Sequence, residues 1–312
     1  MSVQPSNPFP LLVVAGMPRA GTTFLYHYLQ QHPSIYLAFR KEIDYFNAHY
    51  HFKGRDWFAS LFRGIKPGQI AGDLSPACWN DPQAPEWIRE FNPDTKVILC
   101  LRDPAEFAVS LFRQKNHSHY DVPPTLEKWL HDGYESRLTE KGGPVFFTFH
   151  DGEFEQKLDA YKKAFGENLL IYDFSFFTKN QLTILQAIED FLGIDPYFDE
   201  SNFDNLRINA SYRRNIKWLY AITAQEWFRN LFERYVPRTW AMRARAIFDR
   251  ISVVGEPSKD ASKVRHTPEE VTTAREILPT SCAAFREIFQ DHPIYTGDGK
   301  PFALREKAVS VD

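Results

Sequence analysis

The chain has 312 residues, 43% of them hydrophobic, enough for one large core or for one domain with an appendage. A net charge of −3 and a pI near 6.4 exclude a polycation that coats nucleic acid. Three cysteines, Cys78, Cys100 and Cys282, none in a CxxC pair, argue against a disulfide framework and a structural zinc site.

The opening MSVQPSNPFP has no basic n-region and no long apolar run. With unpaired cysteines, this leads to the expectation of a cytoplasmic protein without stable membrane insertion. Leu11 to Ala15 is a continuous apolar run that suits a buried strand of a parallel sheet. It ends in Gly16-Met-Pro-Arg-Ala-Gly21-Thr-Thr, and residues 22–31 then read as a helix with Phe24, Leu25, Tyr28 and Leu29 on one face. Lys96 to Leu101 predicts a second strand, followed by a helix opened by Pro104 and running to about Arg113. Residues 153–165 predict an amphipathic helix through Phe154, Leu158, Tyr161 and Phe165, stopped by Gly166. A third strand is predicted at 168–172 and a further helix at 180–192, stopped by Gly193. Strands alternating with helices predict an α/β fold, a central, mostly parallel sheet flanked by helices in three layers. Residues 255–267 read as a linker or exposed loop, and the tail from 268 as helix followed by irregular chain. The expected organisation is one domain over 1–254, with 255–312 a C-terminal extension packed on it.

A strand–loop–helix turn with glycines at both ends is a place to hold an anion. The helix N-terminus offers unpaired N–H groups and the positive end of a dipole. Gly16 and Gly21 allow close backbone approach, Thr22 and Thr23 add hydroxyls, and Arg19 adds a planar cation suited to phosphate or sulfate oxygens. The spacing Gly16-x4-Gly21 matches the nucleotide P-loop GxxxxGK[ST], but Thr22 stands where that loop has lysine. A phosphate-bearing ligand held without a metal fits this change better than a Mg²⁺-nucleotide does.

Pro18-Arg-Ala-Gly-Thr-Thr-Phe-Leu25 resembles the 5′-phosphosulfate loop of sulfotransferases that use PAPS (3′-phosphoadenosine 5′-phosphosulfate), whose pattern is Pro-[Lys/Arg]-x-Gly-Thr-Thr-x-Leu. Three further stretches resemble the same family. Val97 to Arg113 carries Arg102 and, eight residues on, Ser110, as in the 3′-phosphate motif. Arg40 to Phe46 resembles the Lys-Glu-x-x-x-Phe segment of the bacterial and Golgi-type branches, and Glu153 to Gly193 resembles the helix–strand–helix that ends in Phe-Leu-Gly. The resemblance covers roughly residues 10 to 215 and implies the P-loop-like fold of that family. It implies PAPS as co-substrate, PAP as product and no metal. It assigns Pro18, Arg19, Ala20, Gly21, Thr22, Thr23 and Phe24 to the 5′-phosphosulfate and Arg102 with Ser110 to the 3′-phosphate. It makes Glu42 the general base, with Arg19 steadying the sulfonate and Lys41 either steadying it too or raising the acidity of Glu42. Asp73, in a stretch like the family's Gly-Glu-x-Ser-Pro, becomes a carboxylate for orienting the acceptor, with Asp44 a further one. The acceptor would be a small molecule, lipid or sugar.

The chain departs from the family where many relatives carry a late Lys-Gly-Arg or Arg-Lys-Gly loop. Asn209 to Asn215 stands there instead, and Arg213 or Arg214 is the expected further contact to the 3′-phosphate. His49-Tyr-His51 and His117-Ser-His119 lack a carboxylate or cysteine partner at fixed spacing. They are read as loop residues bordering the acceptor cleft, with Phe107, Phe112 and Tyr120, not as metal ligands. Residues 115–135 are expected to form a mobile lid. Tyr212 to Arg250 holds nine Arg/Lys against three Asp/Glu, interleaved with Trp218, Trp227 and Trp240, and is read first as amphipathic helices with a solvated basic face. Two other functions stay open on the residues: a divergent P-loop kinase or NTPase, and a non-catalytic anion- or membrane-binding protein.

Overall fold

The computed structural model describes residues 9–38, 40–117, 123–137, 144–203 and 267–305. The chain divides into two compact units, residues 1–206 with 266–312, and residues 207–265. The second unit, with its basic aromatic segment, Arg213 and Arg214, lies outside the described residues, as does Tyr120.

Strand β1 (Leu11–Gly16) is buried along its whole length, as its unbroken apolar run requires when both faces of a parallel sheet are covered. The Gly16–Gly21 loop leads into α1 (Thr22–Leu29) and then β2 (Ile35–Leu37). A π-helical turn (Tyr45–His49) and α2 (Arg55–Ser60) precede β3 (Ile70–Asp73). A 3-10 turn (Pro76–Asn80) and α3 (Ala84–Phe91) lead to β4 (Lys96–Leu101), and α4 runs over Pro104–His117. Then come α5 (Leu126–Asp132) and a separate hairpin of β5 (Tyr134–Arg137) and β6 (Pro144–Phe147). Helix α6 (Glu153–Phe165) buries the four predicted residues, Phe154, Leu158, Tyr161 and Phe165. Strand β7 (Leu169–Asp173), α7 (Phe174–Lys179) and α8 (Gln181–Leu192) follow. The C-terminal part supplies α9 (Pro268–Ile277), α10 (Pro279–Ile288) and β8 (Ile294–Thr296).

The main sheet has the order β2-β3-β1-β4-β7-β8. The first five strands run parallel and β8 is antiparallel to β7. The expected mostly parallel sheet with flanking helices is therefore the observed one. Strand order reverses between β1 and β4, and a crevice outside the carboxyl ends of the strands at such a reversal is where open α/β sheets bind ligands. The loop after β1 and Arg102 after β4 sit on its two sides.

The C-terminal part is tied to this unit by more than a strand edge. Thr267 and Glu270 close a reciprocal capping box on α9, and Glu270 also takes the Arg113 side chain of α4 at 2.8 Å. Asp151 accepts the Thr280 and Ser281 N–H groups at the start of α10. The span expected as a lid contains the end of α4, helix α5 and the start of strand β5, with residues 118–122 outside the described set.

Candidate active site

The loop after β1 begins with a tie to the neighbouring strand, because Met17 N–H donates to Cys100 O at 2.7 Å. Arg19 at φ 65 and Gly21 at φ 83 are both left-handed, so the chain curls back before α1 starts. Gly21 has a second reason to be glycine, since a Cβ there would collide with the Phe177 ring. Phe24 is buried and meets the same ring edge-on at 5.1 Å, locking the first turn of α1 against α7. Ala20 is buried, and Pro18 is half-buried. The first N–H groups of α1 have no intrahelical acceptors and open toward the crevice.

Across that crevice, Arg102 is 9% exposed and Ser110 8%. Ser110 lies one turn along α4 from Glu106, which accepts from Arg102 Nε and Nη2 at 3.3 and 3.2 Å. The Arg102 guanidinium also lies over the Phe174 ring at 5.0 Å. Burial and the Arg102 charge together hold the Arg19 pKa below the ordinary arginine value. Two guanidinium groups close enough to perturb each other form a pocket of positive potential that an anion relieves.

The third part is a turn bearing acids. Lys41 Nζ donates to Thr23 Oγ1 and to Glu42 Oε1, each at 2.9 Å, and so joins the anion loop to the predicted base. Glu42 keeps nearly half of its side chain exposed (47%) and is open to a substrate. Glu42 at φ 61 and Asp44 at φ 54 are also left-handed, a conformation costing of order 1–3 kcal/mol at each such non-glycine residue. Arg19, Glu42 and Asp44 are the described non-glycine residues with positive φ, and all three border this crevice. Burial, with the nearby Glu42 charge, pushes the Asp44 carboxyl up to about 7. Asp73, at the end of β3, is wholly buried and is likewise pushed up to about 7, chiefly by desolvation and with Asp44 adding, against a lowering hydrogen bond from Ser75.

Residues 10–230 match the family model of a sulfotransferase domain. The chain belongs to the sulfotransferase domain family. Among its relatives, the membrane-associated sulfotransferase kil1 of Dictyostelium discoideum is 36% identical over 106 residues, covering 33% of this chain and 22% of that protein. Human heparan sulfate glucosamine 3-O-sulfotransferase 6 is 32% identical over 203 residues, covering 62% of this chain and 55% of that protein. The chain thus spans about half or less of these curated relatives. A solved sulfotransferase from Alicyclobacillus acidocaldarius aligns with a TM-score of 0.49 at 18% identity, covering 64% of this chain and 87% of that one.

The kil1 similarity overturns the cytoplasmic assignment. Attachment to a membrane surface needs no spanning helix, so free cysteines and a short apolar run do not decide the compartment of this sulfotransferase domain. Among the described residues no helix is long and apolar enough to cross a membrane.

The sulfotransferase fold brings Arg19, Gly21, Thr22, Thr23, Lys41, Glu42, Arg102 and Ser110 to one end of the sheet. Other predicted residues sit elsewhere or deeper. Phe107 is buried in contact with Phe149 at 6.0 Å, and Phe112 is buried against Trp129 at 5.7 Å. His49 packs edge-on to Trp57 at 5.7 Å. Asp73 has no exposed surface to offer an acceptor. Among the described residues no group of three or more His, Cys, Asp or Glu is placed to hold a metal ion.

Sequence reasoning missed three residues of this region. Lys115, near the end of α4, feels the Glu42 charge, which raises its pKa against a larger lowering by burial. Phe174 supplies the ring beneath Arg102. Ser75 lies between Asp73 and Asp44, and its signal is present in Gly72-Asp-Leu-Ser-Pro76 beside the carboxylate.

Proposed function

We propose that the chain transfers a sulfonate group from PAPS to a hydroxyl or amine, with Glu42 as the general base. The observation that carries this is Lys41, whose ammonium holds the anion loop through Thr23 and the base through Glu42 at equal distances of 2.9 Å. The donor's transferring group and the acceptor's proton therefore converge on one spot. The α1 N-terminal amides, Thr22, Thr23 and Arg19 hold the 5′-phosphosulfate, while Arg102 and Ser110 hold the 3′-phosphate. Arg213 and Arg214 are assigned to that phosphate on the sequence alone.

In the reaction the acceptor O–H or N–H bond breaks and its proton goes to the Glu42 carboxylate. The acceptor's electron pair forms the new bond to sulfur, and the S–O bond to the 5′-phosphate breaks with its pair staying on PAP. Charge grows on the leaving phosphate, and the α1 amides, Arg19 and Lys41 are the donors assigned to stabilise it. A sugar hydroxyl is the acceptor to try first, because the human relative is named for transfer to a glucosamine of heparan sulfate. Glu42→Gln keeps the shape of the turn and removes the base. It should bind PAP as the wild type does and lose transfer by about 10²-fold or more. Full transfer by that variant contradicts the assignment of the base.

A further inference from the structure

Glu42 is held in an unfavourable backbone conformation, and something must over-determine it. The following residues provide one anchor. Asp44 O accepts the Ala48 and His49 N–H groups at 3.0 and 3.1 Å, and Tyr45 stacks on Phe58 at 4.7 Å. The other anchor comes from the end of β3. Asp44 N–H donates to Ser75 Oγ at 2.9 Å, and Ser75 Oγ donates to Asp73 Oδ1 at 2.5 Å. The Ile43 amide also faces the Asp73 carboxylate closely enough to favour its charged form.

The relay runs in one direction. A hydroxyl that accepts from an amide must send its own proton elsewhere, and Asp73 is placed to take it. Pro76 follows Ser75 and disfavours the helical region for it; Ser75 sits at φ −115 and ψ 76, and this restricted backbone limits the aim of Oγ. Ser75 and Asp73 are both 0% exposed, and neither can touch a substrate. A buried polar pair of this kind is retained where it fixes a geometry that packing alone does not.

We infer that Asp73 and Ser75 are positioning residues for Glu42: the Asp44 N–H to Ser75 to Asp73 relay clamps the left-handed turn that aims the base at the acceptor. This rests on the reading of Glu42 as base. It gives Asp73 a task different from orienting the acceptor, and it gives the Asp-x-Ser-Pro stretch a mechanical reason.

The test measures PAP released from PAPS with heparan sulfate as acceptor, and with water alone, for S75A, D73A and D73N, in the wild-type and in the E42Q background. S75A and D73A should each lower kcat about tenfold or more, with KM for PAPS and affinity for PAP unchanged within about threefold. D73N keeps an oxygen for the Ser75 proton and should retain kcat within about threefold. In the E42Q background S75A should cause no further loss, because its effect passes through Glu42. Where S75A does not fold, D73A carries the comparison, since it removes only the orienting acceptor. The inference is overturned if S75A and D73A turn over like the wild type. It is equally overturned if they lose PAP affinity in step with kcat, or if they cost as much in E42Q as in the wild type. Full activity in E42Q itself would remove the base instead, a result separable from these.

Discussion

Asp44 and Asp73 flank the Glu42 turn, and each has its carboxyl pushed up to about 7 from an ordinary value of 3.8, first of all by burial. Raised folded-state values mean that the native chain holds protons which the unfolded chain has already released. The stabilisation from the neutral forms is complete below about 4 and is lost as pH rises through about 7. Asp73→Asn mimics the neutral form permanently and should remove its share of this loss. Denaturant melts at pH 5 and pH 8 check it: the wild type should lose on the order of a few kcal/mol between them, and D73N visibly less. Equal losses in both proteins would clear Asp73 of the effect. The anion loop was legible at this scale because its determinants are local, with glycines, threonines and an arginine at fixed spacing after one strand. Arg102 and Ser110 were legible for the same reason. Ser75 was not, because its task joins positions 31 residues apart that only the sheet brings together.

Among the elements, long periodic segments were legible nearly to the residue. Strand β4 and helix α6 have the predicted limits, β1 runs one residue further than predicted, and β7 is shifted by one residue at each end. Helix α4 runs further than predicted, to His117. The short strands were invisible. Ile35–Leu37 and Ile70–Asp73 are three and four residues long, and nothing in such short runs separates a strand from a loop. Strand β8 was missed because its three residues join the sheet only by pairing with β7 across more than a hundred positions. A clamp after β8 ties the chain to α8. Arg305 donates to Asp190 from Nε at 2.9 Å and from Nη2 at 2.5 Å, and to Glu189 from Nη1 at 3.0 Å. Glu189 is fully buried and also accepts the Tyr197 and Phe198 N–H groups at 2.8 Å each. Arg305→Ala leaves a buried carboxylate short of its cation and should cost about 2–4 kcal/mol of stability. PAP affinity should not change, because no donor-binding residue touches this clamp. A variant with wild-type stability would show that Glu189 and Asp190 do not depend on Arg305.

At the scale of the whole molecule, one sheet with its strand order reversed between β1 and β4 puts two cationic groups and an anion loop on either side of a single crevice. The absence of a lysine after Gly21 is then coherent: Arg19 within the loop, Lys41 from the next segment and Arg102 across the reversal supply the positive charge from different directions. A kinase reading would need the charge gathered at the loop with a metal beside it. The family match over residues 10–230 agrees with the first arrangement. What separates the two chemistries is recognition of a 3′-phosphate. The direct test is thermal stabilisation by PAP against ADP, both in EDTA, with Arg102→Ala as a control. A ligand that binds only the folded state raises the melting temperature by mass action. The account predicts a clear rise with PAP, little with ADP, and loss of the PAP effect in the Arg102→Ala variant. No rise with PAP, or a rise with ADP that appears only when Mg²⁺ is restored, would contradict it.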